Sequence, residues 1–209
     1  MKIFSISFII ILIDQITKLF VKGCSIPFLG IDWKGFPLYT SFPLLGDFAR
    51  FTYIENAGMA FGIDVGAKLF FSLFSLLASI AIFLYLYSIR KEKLSVKIPI
   101  ALILGGAVGN LIDRIFYGIW FNHGKLFYGK VVDFIDVDFI DVNFFGYQLT
   151  RWPVFNVADA SVTIGITLLL VFQFFAQNEN SVPLTTSNNF PLQSENISQE
   201  AFLSSDKTT

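Results

Sequence analysis

Residues 98–117 read IPIALILGGAVGNLIDRIFY. The first twelve positions are apolar or glycine, and only then come Asn110, Asp113 and Arg114. A bilayer core is crossed by about 20 mostly apolar residues in helix, so the stretch predicts a membrane span. Ionisable side chains inside a span are costly and therefore mark function by default. Here they crowd at one end. Gly105, Gly106 and Gly109 lie in the apolar part, where small residues let helices approach closely; a phosphate cradle is not expected there.

Working outward, three more segments fit the same length: residues 3–21, 69–89 and 155–176. The first carries Asp14, Gln15 and Lys18 toward its far end, the second has no charge, and the last has Asp159 in its first turns. The composition agrees. The 209 residues are 54% hydrophobic with 26 Phe, 15% charged, and have a mean hydropathy of +0.64. A soluble domain carries about 25% charged residues, so much of this surface is expected to face lipid. The fold expected is membrane α-helical, with four transmembrane helices.

Lys2 and the 90–97 connection with Arg90, Lys91, Lys93 and Lys97 belong inside by the positive-inside rule. Both termini then lie in the cytoplasm and the 22–66 and 118–154 connections lie outside. All intramembrane polarity gathers near the outer face. The outer connections are long and aromatic; 36–56 contains strand-like runs broken by Pro and Gly, predicting a small β-rich platform on the membrane surface. Residues 177–209 are polar and predict a disordered cytoplasmic tail after a four-span membrane domain of residues 1–176.

Several classes are excluded. A net charge of -1 argues against nucleic-acid binding. One cysteine and one histidine leave no protein-bound zinc or haem, and no cofactor is expected. There is no HExxH and no GxSxG; a Ser-Lys dyad has no favouring spacing. Lys2, an apolar run and Cys24 resemble a lipidated leader superficially. Asp14, Gln15, Lys18 and Lys22 spoil it, so an uncleaved span is expected, with Cys24 a loop or packing residue.

The carboxylates remain. Asp14, Asp113 and Asp159 lie in spans, and 131–142, VVDFIDVDFIDV, adds Asp133, Asp136, Asp138 and Asp141 in apolar company. Asp113 has a bland reading as the partner of Arg114 or Lys18, and Asp14 as a helix-locking acceptor. No cation follows Asp159 until Lys207. Asn156 shares its helix face three residues earlier, and Asn110 and Asp113 repeat that spacing. Two carboxyls converging in a poorly hydrated site share a proton and can act as base and acid together. That is aspartyl proteolysis. Strand parity alone does not choose among the four aspartates, since Asp133 and Asp141 share one face and Asp136 and Asp138 the other.

The motifs then add up. Asp14-Gln15-Ile16-Thr17-Lys18, NAGMAFG at 56–62, GNLIDR at 109–114, VVDF at 131–134 and FNVAD at 155–159 occur in one order along the spans. In these the chain resembles bacterial lipoprotein signal peptidase, signal peptidase II. The resemblance implies an aspartyl endopeptidase of the bacterial inner membrane that cuts diacylglyceryl-modified prolipoproteins before the lipidated cysteine. It implies Asp133 and Asp159 as the catalytic pair. Asp14, Asn56, Asn110, Arg114 and Asn156 match supporting or substrate-contacting positions, and Asp113 a structural one. The lead Gly129-Lys130-Val131-Val132 favours Asp133 over Asp138, and the other three aspartates are expected at the wet interface. Residues 118–130 are longer than the connection usual in the family, and His123 there is expected in an exposed loop. The implied partners are prolipoprotein substrate and membrane lipid, with a monomer as default. A proton- or cation-coupled transporter using Asp14, Asp113 and Asp159 as a relay is the competing expectation.

Overall fold

The computed structural model describes residues 2–58, 67–138, 142–144, 147–149 and 151–179. Residues Met1–Phe175 form one compact unit. The polar tail expected beyond 177 falls, from residue 180 onward, outside the described residues, as do residues 59–62 of the NAGMAFG motif.

Among the described residues, four helices are long and apolar enough to cross a membrane. α1 is Phe4–Lys22, followed by the hairpin β1 (Cys24–Ile26) and β2 (Ile31–Trp33), then β3 (Ser41–Leu45) and β4 (Ala49–Asn56). α2 is Ala67–Ser88 and α3 is Leu94–Ile112. A π-helical turn, Asp113–Tyr117, and the single turn α4 (Gly118–Trp120) prolong α3. β5 (Val131–Val137), the short hairpin β6 (Val142–Phe144) and β7 (Tyr147–Leu149), and α5 (Val157–Glu179) complete the described elements. At 1.5 Å per residue, the 19 residues of α1 reach about 28 Å, close to a hydrocarbon core.

α1 is largely polar inside and apolar outside. α1 buries Ser7, Asp14, Lys18 and Val21 along one face, while Phe8, Ile9, Leu12, Ile16 and Phe20 are exposed. That inversion suits lipid as the solvent. α3 lies between its neighbours because its glycines admit them. A Cβ on Gly105 would stand 2.8 Å from Ile10 Cβ, and one on Gly106 2.2 Å from the Ala158 carbonyl oxygen. The expected close packing is found at both.

α3 starts at Leu94, four residues before the expected 98. Ser95 and Lys97 belong to its first turns, where a long cationic stem can still reach water. Cys24, expected in a loop or in packing, stands in β1 opposite Trp33.

The platform contains a three-stranded antiparallel sheet, β3-β4-β5. β4 pairs with β5 across some 80 residues of chain, with Phe51 opposite Ile135 and Ile54 opposite Asp133. One extra residue on β4 between those pairs is a bulge, which re-aims side chains and breaks simple alternation. Phe36 packs on Phe20, Trp33, Phe42 and Phe51, joining the end of α1 to the sheet. The 118–130 connection folds back on the end of α3. Gly129 N donates to Arg114 O at 2.9 Å, Phe127 N to Ile115 O at 3.1 Å, and Ser72 Oγ of α2 to Phe127 O at 2.8 Å. His123 is exposed there, as expected of a loop histidine.

Candidate active site

The polar ends of α1, α3 and α5 meet beneath β5. On the α1 side, Lys18 is fully buried and its Nζ lies 2.8 Å from both Asp14 Oδ2 and Asp113 Oδ2. The same nitrogen donates to Asn110 Oδ1 at 2.8 Å. Gln15 Nε2 donates to Asp113 Oδ1 at 2.9 Å and to Gly109 O at 3.1 Å, and Tyr117 Oη donates to Gln15 Oε1 at 3.1 Å. Asp14 Oδ1 also accepts from Ala158 N at 2.9 Å, and Asp113 Oδ2 from Val132 N at 3.2 Å. Two buried carboxylates thus share one ammonium and fasten α5 and β5 to the bundle. Of the partners considered for Asp113, the one met is Lys18. Gly109 leaves room for this set, since a Cβ there would be 2.7 Å from Asp14 Oδ2.

Above it lies a second group. Asn156 precedes α5 and exchanges bonds with its third residue: Asp159 N donates to Asn156 Oδ1 at 2.9 Å, and Asn156 N to Asp159 Oδ2 at 3.2 Å. This reciprocal cap satisfies donors that a helix start leaves open. Asn156 Nδ2 meanwhile donates to Asp133 Oδ1 at 2.6 Å, and Asn110 Nδ2 to Asp159 Oδ1 at 2.7 Å. Asn56, at the end of β4, acts to lower the Asp133 carboxyl. The bridge between Ile135 and Phe155 holds β5 against the entry to α5, with N–H···O distances of 2.8 and 2.9 Å.

Burial first, and the charge of Asp159 second, push the Asp133 carboxyl up to about 7, against the asparagine bonds and the more distant Lys18. Arg114 is the nearby cation; its charge acts on Asp113, Asp159 and Asp133, and its Nε is buried without a hydrogen-bond partner among the described residues. Asp14, Asn56, Asn110, Asp113, Arg114, Asp133, Asn156 and Asp159 therefore form one contiguous region. Two carboxyls with linked charge, one asparagine (Asn156) bonded to both, a second (Asn110) on Asp159 and one guanidinium suit acid–base work on a polar bond.

The reading of the other aspartates needs correction. Asp136 does not sit at a wet interface: it is 6% exposed and bonded to Thr52 Oγ1 at 2.6 Å and Arg151 Nε at 2.8 Å. Asp138 is half-buried, 3.4 Å from Arg151 Nη1, and Asp141 lies outside the described residues. Sequence reasoning also passed over Glu55. Burial acts to raise its carboxyl, but Lys22, the Tyr53 hydroxyl and Lys130 outweigh that and hold it below the usual range.

A sequence profile of the signal peptidase (SPase) II family matches residues 6–175. The chain is similar to the lipoprotein signal peptidase of Syntrophus aciditrophicus (strain SB), with 36% identity over 178 residues, covering 83% of this chain and 92% of the relative. It is 34% identical over 183 residues to that of Chlorobium phaeobacteroides (strain DSM 266 / SMG 266 / 2430), covering 88% and 96%. A solved bacterial membrane enzyme, determined by the in meso method at 2.3 Å resolution, superposes with a TM-score of 0.60 at 29% identity, over 87% of this chain and 92% of that one.

Proposed function

The chain belongs to the signal peptidase II family, and on that premise we propose that Asp133 and Asp159 are its catalytic pair. The protein is an aspartic endopeptidase that removes signal peptides from prolipoproteins, cutting before the diacylglyceryl-modified cysteine. The transport expectation has no support among these relatives.

At neutral pH one proton is shared by the pair. Its resting place is Asp133, whose carboxyl is raised to about 7, while Asp159 accepts two hydrogen bonds at a helix N-terminus, a setting suited to an anion. Asp159 takes a proton from water as the water oxygen attacks the scissile carbonyl carbon. Asp133 gives its proton to the carbonyl oxygen. The tetrahedral species collapses with return of a proton to Asp133, the C–N bond breaks, and the proton held by Asp159 passes to the leaving nitrogen. Asn56, Asn110 and Asn156 orient the carboxyls without adding charge, and Arg114 holds the peptide. Asp14 and Asp113 serve as structural acceptors of Lys18.

The observation that carries this reading is Asn156, which binds Asp133 and caps Asp159 at once. We further assign both termini to the cytoplasm, the site to the extracytoplasmic face, lipid as the surroundings of the substrate's acyl chains, and a monomer as the working unit. The positive charge of the 90–97 connection supports the orientation. Mass spectrometry of a diacylglyceryl-modified prolipoprotein tests the pair: wild type and Asp138→Asn cleave, and Asp133→Asn does not. Cleavage by Asp133→Asn would reject it.

A further inference from the structure

The doubled VDFIDV leaves a buried carboxylate, Asp136, that the chemistry above does not use. Its surroundings are built. Asp136 Oδ2 accepts from Thr52 Oγ1 at 2.6 Å, and Oδ1 accepts from Arg151 Nε at 2.8 Å. Arg151 Nη1 donates to Asp47 O at 3.0 Å and reaches Asp138 Oδ2 at 3.4 Å. One guanidinium therefore joins the β3–β4 turn, β5 and the segment that enters α5. A planar fork with several donors can serve these directions together, which a point charge on a flexible stem does less well.

From Arg151 the chain runs directly into the site. Trp152 N donates to Val137 O at 3.1 Å, and Phe155 and Ile135 exchange bonds at 2.8 and 2.9 Å. Next comes Asn156, which holds Asp133 and caps Asp159. The ion pair thus stands only five positions before the amide that joins the two carboxyls. Phe134 N also donates to Phe155 O at 3.1 Å, so among the described residues the backbone pairing with β5 is confined to Trp152 and Phe155, and the register of the 151–156 segment along β5 gains from an anchor at its start. A slip of one residue would carry the Asn156 side chain away from Asp133.

We propose that Asp136 and Arg151 are positioning residues for prolipoprotein cleavage, a clamp that fixes the start of α5, and with it Asn156 and Asp159, against Asp133. The proposal rests on the catalytic reading above. It accounts for the second aspartate of VVDFID as an anchor for the first. Reacting groups misplaced by about 1 Å can lose on the order of a hundredfold in rate, so the clamp acts on kcat without touching substrate.

The test uses the full chain in detergent micelles and a diacylglyceryl-modified prolipopeptide, with wild type and Asp133→Asn assayed alongside. Arg151→Gln and Asp136→Asn are expected to lower kcat about ten- to a hundredfold with KM changed less than about threefold. Arg151→Lys should fall between them and wild type. The exchanged pair, Asp136→Arg with Arg151→Asp, should recover at least about fivefold over the better single variant. The alkaline limb of kcat/KM should also move to lower pH in the single variants, because a displaced Asp159 acts less strongly on Asp133. Full kcat in folded single variants overturns the clamp, as does an exchanged pair no better than the product of the two single losses. If a single variant fails to fold, Arg151→Lys decides: an intermediate kcat at unchanged KM supports the clamp, and wild-type kcat overturns it. Failure of wild type to cleave would strike the catalytic reading instead, so the two failures are distinguishable.

Discussion

Two groups of buried carboxylates share the same end of the helix bundle and differ in one respect. Asp14 and Asp113 have an ammonium, Lys18, at 2.8 Å from each. Asp133 and Asp159 have amides instead, at 2.6 and 2.7 Å, and each other's charge. The first group holds a cation between its carboxylates and fastens helices; the second is held by neutral amides, with Arg114 acting on it through its charge. Asn110 belongs to both, accepting from Lys18 and donating to Asp159. Catalytic capacity is expected where carboxyls are held by neutral amides and can exchange a proton, and the cation-bound neighbour supplies the rigidity that keeps them in place.

The largest effect should come from removing a carboxyl that the second group needs. Asp133→Asn or Asp159→Asn is expected to lower cleavage roughly 10⁴-fold, in line with loss of one member of a catalytic set. The folded structure should persist, with a thermal midpoint at or above that of wild type. Removing a charge from the first group should do the reverse. Lys18→Met leaves two buried carboxylates without their cation and should destabilise by about 3–5 kcal/mol, read by thermal or denaturant unfolding in micelles. Retained stability there would break the distinction.

A smaller effect is expected where the groups touch. Gly109→Ala places a Cβ 2.7 Å from Asp14 Oδ2, and overpacking of this kind costs about 1–3 kcal/mol. Cleavage should fall with it, because Ala158 and the α5 start hang on the same carboxylate.

The pH dependence sharpens the comparison further. Asp133 is raised from 3.8 to about 7, so the folded chain holds that proton more tightly than the unfolded chain does. Its contribution to stability is full below about pH 4 and is lost as pH rises through about 7. If Asp133 is the acid, kcat/KM holds below that value and declines as pH passes it, with an alkaline limb near 7.

The sequence announced these groups unevenly. The four spans are local patterns of apolar residues, and their polar ends were legible because charge in a span is conspicuous. Asn110 and Asp113, or Asn156 and Asp159, sit at helical spacing and declare a shared face. Lys18 was visible only as one of two partners for Asp113; that it serves two carboxylates depends on the close approach of α1 and α3, which GGAVG permits but does not specify. Asp136 was misread. Its partners come from β4, 84 residues back, and from Arg151, 15 residues on, and a bulge in β4 upsets the alternation from which exposure would be inferred. Pairing between distant strands leaves almost no local mark.

The central claim is that Asp133 and Asp159 share a proton. Infrared titration of the protonated-carboxyl stretch, taken as the difference between wild type and Asp133→Asn, tests it directly. A carboxyl band is expected that disappears with a midpoint near pH 7, and whose midpoint falls in Asp159→Asn. A band that titrates near pH 4 and ignores Asp159→Asn would contradict it.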